Sequence, residues 1–347
     1  MQDILTCAMG LDVHRDVIVA CLAKGELGTD PEIEIRSFST LIPEMRKLRD
    51  WVLEAECRYV AMESTGIYWQ PIYEMLEPCF DGQINILVVN ARHMKNVPGR
   101  KTDMRDAQWI ATLLRAGLLK GSFIPDKTFR ELRHLTRYRK SIVRDITAQK
   151  NRIDKFLQSS GFRFTAFLSD AFGASGRNII RHLMEYGNIS REALDRCLKT
   201  QTRKRIDEIL IALNGSLSEH QRGFLRMIFG HLEALEQHRH TVEDAITKEI
   251  TKHEEALSLL CSIPGIDVTA AEAIFAEIGT DMSAFPDSQH ICSWAGLSPG
   301  NNESAGKRKS AHINKGNPYL KSMLCEVGWV ISGKRSLYLS GWYWRIK

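Results

Sequence analysis

The run Leu5-Thr-Cys-Ala-Met-Gly-Leu-Asp-Val-His-Arg-Asp-Val-Ile-Val-Ala-Cys-Leu-Ala23 decides how the first third of the chain is read. Two apolar stretches flank a polar break at His14-Arg15-Asp16, a pattern that predicts a β-hairpin with mostly buried strands. Working outward, Glu32 to Ser39 alternates Ile33, Ile35 and Phe38 with charge, so a third strand follows. Pro43 to Ala55 carries Met45, Leu48 and Val52 at helical spacing. Tyr59 to Glu63 reads as a short strand ending in the turn Ser64-Thr-Gly66, and Ile67 to Leu76 as the next helix. Ile84 to Val89 is another buried strand and Thr102 to Ala116 another helix. Three strands followed by alternating helix and strand is the order of an RNase H-like α/β fold, a mixed sheet covered by helices.

A chain of 347 residues is long enough for two or three domains and a sizeable core. The net charge of +5 and pI near 8.7 are mildly basic, so any nucleic-acid argument depends on where the cations sit. The eight cysteines are scattered and never form C-x-x-C, which argues against a zinc site or a disulfide framework and predicts reduced thiols. The N-terminus lacks a signal-like apolar run, and no stretch approaches the ~18 apolar residues of a membrane span. A cytosolic protein without a membrane partner is expected.

Three regions are expected, 1–125, 126–255 and 256–347. In the second, Thr128-Phe-Arg-Glu131 has the form of a capping box opening a long helix, with Leu132, Leu135, Ile142, Ile146, Ile153 and Phe156 on a heptad seam. A second capping box, Ser218 to Gln221, opens another, with Leu225, Ile228, Leu232, Leu235, Val242 and Ile246. With a smaller helical insert between them, the pair predicts an antiparallel hairpin or a dimerising coiled coil. Cations including Arg137 and Arg144 crowd the other faces of the first helix, either to meet nucleic acid or as a solvated helix surface. The third region is mainly helical and opens with helix, Pro264-Gly265-Ile266 turn, helix. This is either a helix-hairpin-helix module that offers backbone amides to a phosphate or a plain αα-hairpin.

Four acids stand out. Asp12 lies within the first strand, where a carboxylate among apolar neighbours needs a partner or a cation, and Glu63 ends the fourth. Asp103 and Asp106 are three residues apart near a helix start, which places both on one face. Converging oxygens of this kind suit Mg²⁺, and two such ions would serve phosphoryl transfer. Helix-dipole or turn roles are the alternative for each acid. Far along the chain, the polar stretch Gly296 to Asn317 combines glycines with Lys307, Arg308, Lys309 and Lys315, a composition that suits a phosphate-binding loop, and holds Ser304.

Taken in order, the motifs resemble those of the insertion-sequence 110 and 1111 type of transposase. They are G-L-D-V-H at Asp12, E-S-T-G at Glu63, K-T-D-M-R-D-A at Asp103 and Asp106, P-G-I-D at Pro264, A-G-L-S-P, E-S-A-G-K and N-K-G-N. The resemblance implies a RuvC-like domain with a D-E-D-D metal site, a coiled-coil middle and a C-terminal transposase domain with a catalytic serine. It also implies recombination of DNA guided by a structured RNA of the element, with a composite site assembled between protomers of a dimer or tetramer. By position, Asp12, Glu63, Asp103 and Asp106 would be the metal ligands and Ser304 the nucleophile. Ala305 separates that serine from Gly306, so Ser298 and Ser310 stay open as alternatives. Family members usually continue past the last helix, whereas this sequence stops at Lys347. The competing readings are a metal-dependent nuclease or junction resolvase in which water attacks, and a non-catalytic nucleic-acid-binding scaffold.

Overall fold

The computed structural model describes residues 4–64, 66–90, 106–299, 302–304, 307–310 and 312–346. The chain divides into two units, Met1–Ile124 and Pro125–Lys347.

The first unit is built on a sheet of β1 (Cys7–Val13), β2 (Val17–Lys24), β3 (Glu32–Ser39), β4 (Tyr59–Glu63) and β5 (Asn85–Val89), in the order β3-β2-β1-β4-β5. The first three strands run antiparallel, and β4 and β5 join β1 in parallel, an arrangement compatible with an RNase H-like fold. One face carries Met9, Leu11, Val60 and Met62, covered by Leu48, Trp51 and Val52 of α1 (Ile42–Glu54) and Ile72 and Leu76 of α2 (Trp69–Leu76). The other face is lined with small side chains, Ala8, Cys21, Ala23 and Ala61, and receives α3 (Asp106–Arg115) through Ala107, Ile110 and Ala111. Gly10 makes this approach possible, because a Cβ there would lie 2.2 Å from the Ala107 carbonyl oxygen and 2.4 Å from the Ala111 nitrogen. At the far end of α3, buried Arg115 donates to the carbonyls of Leu5, Gly25 and Glu26, tying the N-terminal segment to the β2–β3 loop. The expected helix start at Thr102 lies outside the described residues.

The second unit is organised by α4 (Lys127–Ser159) and α9 (Glu219–Ile250). Between them come α5 (Ala174–Tyr186), α6 (Arg191–Cys197), α7 (Thr200–Arg203) and α8 (Ile206–Ala212). The long helices pack antiparallel within this one chain. Gln221 Nε2 reaches Ser160 Oγ at 3.4 Å, the Phe156 and Phe224 rings stand 5.0 Å apart, and Gln149 Nε2 donates to the Ile228 carbonyl at 2.6 Å. Gln149, a polar residue on the apolar seam, is thereby satisfied in the core. The second capping box forms in full, with Ser218 and Gln221 each accepting from the other's backbone N–H. The first does not. α4 begins one residue before Thr128, behind an extended Asp126 at the N-cap, so Thr128 already has helical backbone and its hydroxyl is not at the cap.

The chain continues through α10 (Glu254–Cys261), α11 (Val268–Ile278) and α12 (Ser288–Ala295). A two-stranded hairpin of β6 (Asn302–Ser304) and β7 (Lys307–Ser310) follows, then α13 (Pro318–Gly333) and α14 (Tyr338–Ile346). No helix among the described residues is long and apolar enough to cross a membrane.

Candidate active site and nucleic-acid interface

The register of β1 against β4 pairs Leu11 with Met62, so Asp12 and Glu63 come next on adjacent parallel strands, at the same end of the sheet. Alternation along each strand puts Asp12 on the face of Gly10 and Glu63 on the face of Ala61, the face that α3 covers. α3 runs antiparallel to β1, from Ala107 over Gly10 to Arg115 near Leu5, so its first residue, Asp106, lies towards the Asp12 end. Asp12, Glu63 and the start of α3 at Asp106 therefore lie at the same end of the sheet, placed there by a strand register and one glycine contact. Asp103 lies outside the described residues. Among the described residues no three His, Cys, Asp or Glu side chains close around a common point. The donors present, all carboxylate oxygens, fit a hard divalent cation by their chemistry.

The sequence reading missed His14. Its Nε2 lies 3.2 Å from Asp12 Oδ2, and the Asp12 side chain is only 16% exposed, so the imidazole occupies one side of the candidate ligand. The signal was present in G-L-D-V-H, because residues two apart on a strand share a face.

In the second unit the stretch Gly296 to Asn317 forms an arm pinched at its base. Gly296 ends α12 in the left-handed conformation, and a Cβ on Gly316 would lie 2.2 Å from the Gly296 nitrogen, so the two ends touch through backbone. Asn317 N donates to the Trp294 carbonyl at 2.8 Å, Asn314 N to that of Ser298 at 3.1 Å, and Pro299 bridges Ile313. Beyond this base Asn302 pairs with Ser310, Glu303 with Arg308, and Ser304 with Lys307. Ser304 is therefore the last paired residue towards the hairpin tip, while Ser298 and Ser310 stand nearer its base.

Two family models match this chain. One, for the IS110 type of DEDD transposase and described as "Transposase", covers residues 9–161, and the other, "Transposase IS116/IS110/IS902 family", covers residues 257–342. The chain belongs to the IS110-type transposases. It is also 23% identical over 247 residues to the protein named "Putative transposase y4qE" of Sinorhizobium fredii (strain NBRC 101917 / NGR234). That match takes in 69% of this chain and 51% of the relative, so the chain spans about half the length of the curated relative it matches.

In this IS110-type chain the cations of α4 divide into two groups. Arg137, for which nucleic-acid contact and a solvated face were both open, grips Glu277 with two hydrogen bonds of 2.8 Å and lies over the Tyr319 ring at 4.3 Å. Glu277, 2% exposed, also pairs with Arg133 at 3.2 Å and accepts from Asn317 Nδ2 at 2.6 Å. Arg139 pairs with buried Glu272, and Lys140 donates to Ser322. These pairings have a simple cause: Glu272 and Glu277 sit in the otherwise apolar α11, where only a facing cation makes a carboxylate tolerable. Burial pushes the Arg133 guanidinium down to about 10 despite Glu277 beside it. Arg144, one helical turn beyond Lys140, is exposed and has no carboxylate partner among the described residues. It borders a cavity of about 450 Å³, with Lys140, Arg239 and Tyr319 also on its wall. Lys315 is exposed at the arm's base.

Gly265, for which a phosphate contact and a plain turn were both open, has one side of its turn covered. It adopts φ +92°, and a Cβ would lie 2.7 Å from Ile331 Cγ1, so this side of the turn is packed against α13. The Asp267 carboxylate caps α11 by accepting from Ala270 N at 2.8 Å, which puts a negative charge at the helix N-terminus.

Proposed function

We propose that this chain is the transposase of an insertion sequence and acts as a site-specific DNA recombinase. The observation that carries the reading is the placement of Asp12 and Glu63 at one end of adjacent parallel strands, with α3 starting at Asp106 on the same face, in a chain of this family. With Asp103 they would hold Mg²⁺, two ions by the family resemblance, and the bound metal would stabilise negative charge on the phosphoryl oxygens.

The Ser304 hydroxyl is the nucleophile. Its oxygen forms a bond to phosphorus as one ester P–O bond of the DNA backbone breaks, and the departing deoxyribose oxygen takes up a proton. Reversal with a different DNA end rejoins the strand without loss of bond energy to water. The position of Ser304 towards the hairpin tip supports its choice over Ser298 and Ser310. No His and Asp pair accompanies it in the arm's sequence, so activation comes from the carboxylate site. Lys307, Arg308, Lys309, Lys315 and Arg144 hold phosphates, which gives affinity without sequence choice. The helix-hairpin-helix reading of the Gly265 turn would use its amides on the side away from α13. Sequence choice belongs to a structured guide RNA encoded by the element, as the family resemblance implies, and the site is composite between protomers of a dimer or tetramer in the bacterial cytosol.

Ser304→Ala and Asp12→Asn test this with labelled element ends. Both variants are expected to lose strand cleavage and recombination while retaining DNA binding. Cleavage that persists in Ser304→Ala with recombination lost would establish attack by water. Full function in Asp12→Asn would leave only a binding scaffold.

A further inference from the structure

Cys7 opens β1, and its partner across the antiparallel ladder is Lys24. The β1–β4 register, which pairs Met9 with Val60, brings Cys7 beside the segment that leads into β4, where Cys57 is fully buried. Cys7 lies on the face of Met9 and packs, half-buried, against the core cluster that contains Cys57. The Cys57 S–H donates to the Tyr59 carbonyl at 3.3 Å, and it turns to the Cys7 sulfur when that thiol ionises. Lys24 Nζ lies 3.4 Å from the Ala55 carbonyl, two residues before Cys57, so an ammonium sits over the pair.

We propose that Cys7 and Cys57 form a redox modification site, converted reversibly to a disulfide by an oxidant of the peroxide class. The Cys7 thiolate attacks one peroxide oxygen. The S–O bond forms, the O–O bond breaks, and the second oxygen leaves as water after taking a proton, giving a sulfenic acid. Cys57 then attacks that sulfur, the S–S bond forms, and the S–O bond breaks to release a second water with the Cys57 proton. Two electrons pass from the thiols to the peroxide, and an external dithiol returns them.

Chemistry separates Cys7 from the other cysteines of its unit. The hydrogen bond from Cys57 draws the Cys7 thiol down to about 7 against the opposing effect of burial, and Lys24 helps. Cys57 is pushed up by the same hydrogen bond and by burial, and Cys21 is pushed up to about 11 by burial. A low-pKa, accessible thiol beside a buried resolving thiol is the arrangement that peroxide-sensing pairs need. The bond would join β1 to the start of β4, the strands carrying Asp12 and Glu63, at the ends opposite those carboxylates. It would therefore brace the candidate site's framework without entering it.

The test is peroxide titration of the full chain followed by non-reducing peptide mapping. The expected product is one crosslink between the Cys7 and Cys57 peptides, with two hydrogens lost, reversed by dithiothreitol. In unoxidised protein the Cys7 alkylation rate should be half-maximal near pH 7. Cys57→Ser keeps a hydroxyl donor but cannot crosslink, so Cys7 should accumulate as a sulfenic acid trapped by dimedone. The proposal is overturned if the exposed Cys325 oxidises while Cys7 and Cys57 stay unlinked, or if Cys7 crosslinks to another cysteine. Because the mapping uses the unaltered chain, a Cys57→Ser protein that fails to fold leaves the test decisive.

Discussion

Replacing Gly10 with alanine tests the contact on which the carboxylate site depends. The added Cβ would stand 2.2 Å from the Ala107 oxygen and 2.4 Å from the Ala111 nitrogen, both backbone atoms of α3. Ordinary contact begins near 3.4 Å, so the helix must retreat from β1 by about 1.2 Å. No side-chain rotation relieves this. Overpacking of this kind costs ~1–3 kcal/mol, and a value of about 2 kcal/mol would lower the midpoint of a unit this size by ~8 °C. Trp109, nearly buried on α3, supplies the local readout, since its fluorescence should shift to the red as the helix lifts. Asp106 moves with the helix, so on the proposed mechanism strand cleavage should fall even at temperatures where the protein is folded. Adding Ala107→Gly should not rescue the variant, because the clash is with the main chain. A Gly10→Ala protein with an unchanged midpoint and unchanged Trp emission would refute the close approach, and rescue by Ala107→Gly would place the clash in a side chain.

Glu277→Gln should destabilise the second unit by about 3 kcal/mol in urea unfolding, because it leaves Arg133 and Arg137 facing each other without the carboxylate that balances them. Ser218→Ala removes the capping hydroxyl of α9 and should cost ~1 kcal/mol, while Gly230→Ala in the same helix meets open space and should stabilise by a similar amount. Arg144→Ala should leave the unfolding midpoint unchanged and reduce the slope of log affinity for DNA against log salt by ~1. Arg137→Ala should do the reverse, lowering the midpoint and changing the salt slope little.

The sheet was legible because its strands announce themselves by buried β-branched and aliphatic runs, and Tyr59–Glu63 was read to the residue. The candidate site was legible only as a set of acids. Nothing in the spacing of Asp12, Glu63 and Asp106 says that they lie at one end of the sheet; that follows from the parallel β1–β4 register and from Gly10, and both are long-range facts. The first capping box misled because S/T-x-x-E is also an ordinary sequence inside a helix, and Asp126 beyond Pro125 starts α4 earlier. The strands of the arm went unread because Asn302–Ser304 and Lys307–Ser310 are short and polar, with no apolar alternation to mark them.

The glycines of that arm show how a residue type can be read correctly for the wrong purpose. Gly296 and Gly316 suggested a phosphate cradle, but their missing Cβ atoms serve the contact between the two ends of the arm. Asn317, next in sequence, then does three things: its N–H closes the base on Trp294, its side-chain oxygen caps α13 by accepting from Tyr319 and Leu320, and its amide donates to Glu277. Glu277 is the carboxylate that Arg137 and Arg133 hold. A chain of contacts therefore runs from the basic face of α4 through one buried acid to the base of the arm that carries Ser304. In this way Arg137 of α4 helps to fix where the arm leaves the rest of its unit. Because Glu277 is 2% exposed and Arg137 31% exposed, the pair is screened from one side only, so its hold on the base of the arm should weaken less with salt than a surface pair would.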